Sequence, residues 1–194
     1  KINFSLGSFL KKEFAIKNVS ISTKENNLKD VVSLARVYQN SPQLFIFNKM
    51  IKNGTLVTDI NFNFNDKGKI NKDYSIKGSV NDAKLRLLNK QIIKNVNLSF
   101  DVQDNQYLIN DTKFEFNKIK LLSKKIEITN LNKYFLIKGD LKNLESLFNP
   151  EVLSVYFRSN FENLGFSNLN FSSDSNFSFK LNKRFKFSDI NIKS

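Results

Sequence analysis

Ile93-Lys-Asn-Val-Asn-Leu98 is the stretch whose reading decides the fold. Its apolar side chains stand at the first, fourth and sixth places. That is the two-residue period of a β-strand with one residue inserted, and the inserted position is Asn. The same order recurs at Ile16-Lys-Asn-Val-Ser-Ile21, Val57-Thr-Asp-Ile-Asn-Phe62, Phe166-Ser-Asn-Leu-Asn-Phe171 and Phe187-Ser-Asp-Ile-Asn-Ile192, with a variant at Ile109-Asn-Asp-Thr-Lys-Phe114. Asn and Asp tolerate the off-strand backbone that a bulge or tight turn needs. The chain therefore reads as a series of bent strands, each with one apolar and one polar face.

Outward from that stretch, strand cores are expected at 55–64, 72–88, 92–102, 106–122, 125–130 and 134–142. Asn65-Asp66-Lys67-Gly68 and Asp104-Asn105 supply hairpin turn chemistry, so neighbouring strands are expected to be antiparallel. Within 72–88 the phase slips: Tyr74, Ile76, Gly78 and Val80 share one parity and Ala83, Leu85 and Leu87 the other, with Asn81-Asp82 at the change. A bulge there keeps all of them on one face. Ile76-Lys-Gly-Ser-Val80 and Ile137-Lys-Gly-Asp-Leu141 repeat one another, each centred on a glycine that marks a bend or a close approach. Residues 2–23 read as two strands and 161–194 as further strands. Alternation is running at both ends, so residues 1–194 read as one excerpt of a larger sheet protein.

The period changes once. Leu28, Val31, Val32, Ala35 and Tyr38 fall on one face of a helix with Asn26 or Asn27 as N-cap. Ser41-Pro42 restarts a helix in which Leu44, Phe47, Asn48 and Ile51 share a face, and Gly54 stands where a C-terminal cap belongs. This insert, residues 28–52, is expected to plug or cap the end of the sheet. Residues 144–157 read as a short helix: Leu144, Leu147 and Phe148 suit one face and Pro150 ends it. The fold class is thus mainly β, an elongated, curved antiparallel sheet of bulged strands with a short helical insert near the N-terminal end.

Composition narrows the chemistry. With no Cys and no His, the 194 residues lack thiolate chemistry, Cys-based zinc sites and the commonest general base and metal ligand. Gly occurs six times and never in a phosphate-cradling spacing. The strand-borne carboxylates Asp101, Glu115 and Glu127 fall on the polar parity and form no catalytic pair. The reading is of a non-enzyme with no cofactor and no metal. The net charge of +13 comes almost wholly from Lys, since only Arg36, Arg86, Arg158 and Arg184 are arginines. Bidentate recognition of phosphates and base edges favours Arg, so nucleic acid is not the expected partner. A Lys-rich face still attracts anionic headgroups through a salt-sensitive pull.

What remains is the apolar face. Two or three helical pieces are too few to cover six to ten strands, each roughly 33 Å long at ten residues. Either the sheet packs on itself or something outside the chain lies in it. A concave face of Phe, Ile and Leu suits an acyl chain, and the residues that line it by parity are Phe62, Phe64, Ile76, Val80, Leu98, Phe100, Ile109, Phe114, Phe116, Ile137, Phe177 and Phe179.

The runs Ile76-Lys-Gly-Ser-Val-Asn-Asp-Ala-Lys-Leu85, Ile93-Lys-Asn-Val-Asn-Leu-Ser-Phe100, Tyr107-Leu-Ile-Asn-Asp-Thr-Lys-Phe114 and Ile119-Lys-Leu-Leu-Ser-Lys-Lys-Ile126 resemble the repeating part of AsmA-like proteins, the group that includes TamB and YhdP. The likeness covers most of the chain and is best from Leu28 to Leu144. It implies a long β-groove in a Gram-negative-type envelope that carries phospholipid toward the outer membrane, in outer-membrane biogenesis. It also implies a periplasmic location, an inner-membrane anchor outside this excerpt, and envelope proteins as partners. No single residue carries over as a site. A second reading, from another class, is an assembly factor with an internally packed β-sandwich that acts through its surface. An outer-membrane barrel fits less well, given the helical insert and the absence of Trp.

Overall fold

Alternating side chains build eleven strands in the computed structural model, which describes residues 1–6, 16–38, 41–65, 67–71, 74–87, 90–104, 106–151, 154, 165 and 167–194. The strands are β1 (Ile2–Leu6), β2 (Ile16–Ser22), β3 (Asn26–Asn27), β4 (Ile51–Asn63), β5 (Ser75–Arg86), β6 (Ile92–Gln103), β7 (Gln106–Phe116), β8 (Ile119–Asn130), β9 (Tyr134–Phe148), β10 (Leu169–Asn182) and β11 (Phe187–Lys193). Two helices, α1 (Leu28–Tyr38) and α2 (Pro42–Met50), separate β3 from β4. All pairings are antiparallel, and the strands lie in one sheet in the order β1-β2-β4-β5-β6-β7-β8-β9-β10-β11, with β3 on β4. The sheet is not closed. The described strands thus form a single sheet rather than the two facing sheets of a sandwich.

Local chemistry sets the connections. Asn65 accepts from the N–H groups of Lys67 and Lys69 and so holds the turn after β4. Asp104, at φ +48°, turns β6 into β7. The β7–β8 turn is different from expectation. The strand expected over 106–122 is cut at Asn117-Lys118, both at positive φ, which is the two-residue turn whose twist suits a hairpin. Lys118 carries no turn signal, which is why the sequence ran the two strands together.

The helical insert forms as its caps dictate. Asn27 Oδ1 accepts from the N–H groups of Lys29 and Asp30 at 2.9 and 3.3 Å, and Ser41 Oγ accepts from the N–H of Leu44 at 3.2 Å with Pro42 opening α2. Gly54 is not the cap of α2. The chain leaves that helix at Ile51 and is already in β4, where Gly54, at φ +132°, lies so close to β5 that a Cβ would stand 2.7 Å from the Ala83 Cβ. The helix expected over 144–157 is also corrected in part. β9 continues through Phe148, paired with β10, and helical backbone begins only at Pro150, where a proline opens rather than ends a helix. Residues 152–153 and 155–157 of that expectation, and Phe166 of the recurring motif, lie outside the described residues.

The buried core sits where the helices meet the sheet. Leu28 and Val32 of α1 join Ile51, Leu56, Ala83 and Val96 of β4, β5 and β6, and Val31, Leu44, Leu85, Ile93 and Phe114 pack around them. Among the described elements the helices lie against β3, β4 and β5, Phe114 of β7 reaches the edge of this core, and the helices make no such contact with β8 to β11.

Candidate functional site

Four backbone kinks make the apolar face continuous. Asp82, Asn95, Asp111 and Asp189 all have φ near +50°, and at each the register shifts against a neighbouring strand. Three of them are the third residue of the recurring motif, and Asp82 is the residue at the phase slip. The inserted residue lets the strand skip one position, so Ile93, Val96 and Leu98 stay on one side, as do Val80, Ala83 and Leu85. Asn97 ties two bulges together: its Oδ1 accepts from the Asp82 N–H at 3.1 Å, and its amide donates to the Asp82 carboxylate and the Asn95 carbonyl. The motif does not bend the strand at Asp59, which pairs in register with Lys77. There Thr58 takes the inward position instead of Val57, buried and bonded to Thr23.

The register then aligns inward side chains into rows that cross the sheet. One row runs Ile2, Ile21, Ile60, Ile76, Val102, Tyr107, Ile128, Ile137 and Phe179, apolar on nine consecutive strands. The next runs Thr58, Gly78, Phe100, Ile109, Ile126, Gly139, Phe177 and Ile192. The two glycines of the internal repeat therefore share a row, and each sits beside a phenylalanine. A Cβ on Gly78 would stand 2.7 Å from Phe100 Cζ, and one on Gly139 would stand 2.9 Å from Phe177 Cζ. Each ring thus lies over the glycine of the neighbouring strand. Phe177 and Phe179 stack at 5.9 Å and Phe179 meets Phe187 at 5.4 Å, which continues the aromatic lining to β11.

All twelve residues expected to line the face share one parity of the sheet. Phe62, Ile76, Val80, Leu98, Phe100, Ile109, Phe114, Phe116, Ile137, Phe177 and Phe179 are on strands, and Phe64 follows β4 in a bridge with Ile70. Each is half-buried, neither sealed in the core nor fully open. Val80, Leu98, Phe100 and Phe114 adjoin the core under the helices, whereas Ile109, Ile137, Phe177 and Phe179 do not. Sequence reasoning missed the buried polar residues among them: Thr58, Thr112, Ser123 and Asn143. Thr112 pairs with Ser123 across β7 and β8, and its hydroxyl has no hydrogen-bond partner among the described residues. A polar side chain at an inward position looks, in one sequence, like the start of the polar parity.

The opposite face is charged in pairs. Lys77 meets Asp101 at 3.1 Å, Lys142 meets Asp174 at 3.5 Å and Lys180 meets Asp189 at 2.6 Å, each across neighbouring strands. Asp140 holds an irregularity in β8. Burial alone would raise its carboxyl. The N–H groups of Lys124 and Lys125, its own N–H and the Ser123 hydroxyl outweigh that and hold it below the ordinary carboxylate range. Beside these groups Lys125, Glu127, Lys138, Asn176, Phe177 and Lys193 line an open depression of mixed polar and apolar character. No helix among the described residues is long and apolar enough to cross a membrane. In comparison with known proteins, no family model, no curated protein and no solved structure matches this chain.

Proposed function

We propose that this chain is a segment of a non-enzymatic, AsmA-like conduit whose apolar face shields phospholipid acyl chains on their way between the two membranes of a Gram-negative-type envelope. In this reading it works in the periplasm, anchored to the inner membrane through a segment outside this sequence. The observation that carries the proposal is the pair of inward rows, largely apolar across consecutive strands and out of contact with the two helices over β8 to β11. An apolar surface that size is unfavourable in water unless something occupies it. Burying a methylene is worth about 0.8 kcal/mol, so exposing a sixteen-carbon chain costs on the order of 12 kcal/mol, and a lining of Phe, Ile and Leu removes that cost. The twelve lining residues are all apolar, and lipid held no more tightly than in a bilayer is free to move on. Lys side chains on the outer face stay solvated near headgroup phosphates.

The test is native mass spectrometry with lipid extraction on the full-length parent protein in mild detergent. Phospholipid is expected to co-purify with the wild type and to be lost when a charge is placed inward, as in Phe100→Glu. Ile109→Glu repeats the test away from Gly78, so that packing against the glycine does not decide the outcome. A folded wild type free of lipid, or folded variants that keep it, would overturn the proposal.

A further inference from the structure

The helical insert has an outer side that the sheet does not use. α1 turns Leu28 and Val32 into the core, yet Leu34 and Val37, three residues apart and so on one side of the helix, are 60% and 79% exposed. α2 is apolar nearly all round: Leu44 adjoins the core while Phe45 and Phe47 remain 41% and 39% exposed. Soluble helices place charged residues on such positions. Here the charge is drawn onto an exposed ring instead. The Arg36 guanidinium lies 4.9 Å and the Lys49 ammonium 4.3 Å from the centroid of Phe45. Across residues 24–52 five basic side chains, Lys24, Lys29, Arg36, Lys49 and Lys52, face two acidic ones, Glu25 and Asp30.

We infer that the outer side of α1 and α2 docks on the surface of an anionic lipid bilayer. Val37, Leu34 and Phe45 enter the headgroup and acyl boundary, and Arg36 and Lys49, which already lie at Phe45, pair with lipid phosphates around them. Exposed apolar side chains ringed by cations are what an interfacial helix needs, and neither part suffices alone: the charge brings the surface in, and the apolar area holds it. Helices of 11 and 9 residues are too short to span the bilayer, so they lie on it. The inference concerns the side of the helices turned away from the sheet and is independent of what the groove carries.

Flotation of the purified chain with vesicles of phosphatidylcholine alone and of phosphatidylcholine with phosphatidylglycerol tests it. Binding is expected to the anionic vesicles, to weaken with salt, and to be abolished by Leu34→Glu with Val37→Glu. Arg36→Gln with Lys49→Gln is expected to lower it roughly thirtyfold and to flatten the salt dependence. Phe100→Glu serves as the groove control and is expected to float as the wild type does, so loss of lipid carriage and loss of docking read out separately. Equal binding by the wild type and the folded Leu34→Glu/Val37→Glu protein would overturn the inference. So would a self-associated wild type that this double variant renders monomeric without any vesicle binding in either, since the occupant would then be a second copy. A wild type that ignores vesicles, with a double variant that only loses thermal stability, would place the occupant within the chain and overturn it likewise.

Discussion

At Gly78 the backbone has room for a hydrogen atom and nothing larger. A methyl group there would meet the Phe100 ring at 2.7 Å and press on the Val57 carbonyl oxygen as well. The ring can swing aside, at the expense of its packing, but the carbonyl belongs to the β4 ladder and cannot. Gly78→Ala is therefore expected to destabilise the fold by about 1–3 kcal/mol, the usual range for overpacking, in a denaturant titration. Ser79→Ala, one residue on and turned to the other face, should stay within about 0.5 kcal/mol of wild type. Equal stabilities for the two variants would show that the ring and carbonyl yield freely. The sequence marked both glycines of the repeat as bends or close approaches, and at Gly78 and Gly139 close approach is what the structure has. It did not name the partner, because Phe100 and Phe177 are set by cross-strand register, and register is a property of two strands rather than of one stretch of residues.

For whole strands, the legible part was the kink. An apolar residue three places after another, with Asn or Asp just before it, read correctly as an inserted residue at Asn95 and Asp189, the variant with Thr112 in the apolar place did so at Asp111, and the phase slip located Asp82. The same letters misled at Asp59, where Thr58 turns inward and bonds to Thr23 across the sheet, so the strand needs no insertion. The helix ends divided the same way. Asn27, Ser41 and Pro42 cap by local chemistry and were readable, whereas the end of α2 at Ile51 is set by the pairing of β4 with β5 and was not. At 123–124 the sequence reads as a gap between two strands, whereas β8 runs through it with an irregularity, because its stabilising group, Asp140, lies on the next strand. Because folding lowers the pKa of that carboxyl, its contribution is fully present above the unfolded value of about 4 and is lost as pH falls through the folded value. Asp140→Asn should accordingly cost roughly 1–2 kcal/mol near neutral pH, and the gap to wild type should close in acid. Parallel stability curves for the two proteins down to low pH would refute the assignment.

Across the whole molecule, stability should be graded along the sheet. β4, β5 and β6 share a core with α1, while every residue of β11 is exposed and its far edge pairs with no other described strand. Hydrogen exchange is thus expected to be slowest at Leu56, Ala83 and Val96 and fastest, among paired strands, at Phe187–Lys193, with the protection falling from β6 toward β11. Uniform protection across the sheet would mean that the outer strands are buried against something further. That the chain is mainly β, an antiparallel sheet with two short helices near its N-terminal end, was readable from its period; which strands the helices would cover was not, since an apolar stripe tells that a helix packs but not on what.

The kinks carry one last consequence. Asp82, Asn95, Asp111 and Asp189 are all exposed and stand in neither of the two rows of Ile and Phe. The residues that bend the strands are therefore not the residues that line the face. The two can drift apart in evolution: the lining can trade one aliphatic or aromatic side chain for another, while the course of the backbone is kept by a few acidic and amide residues that stand outside the apolar rows.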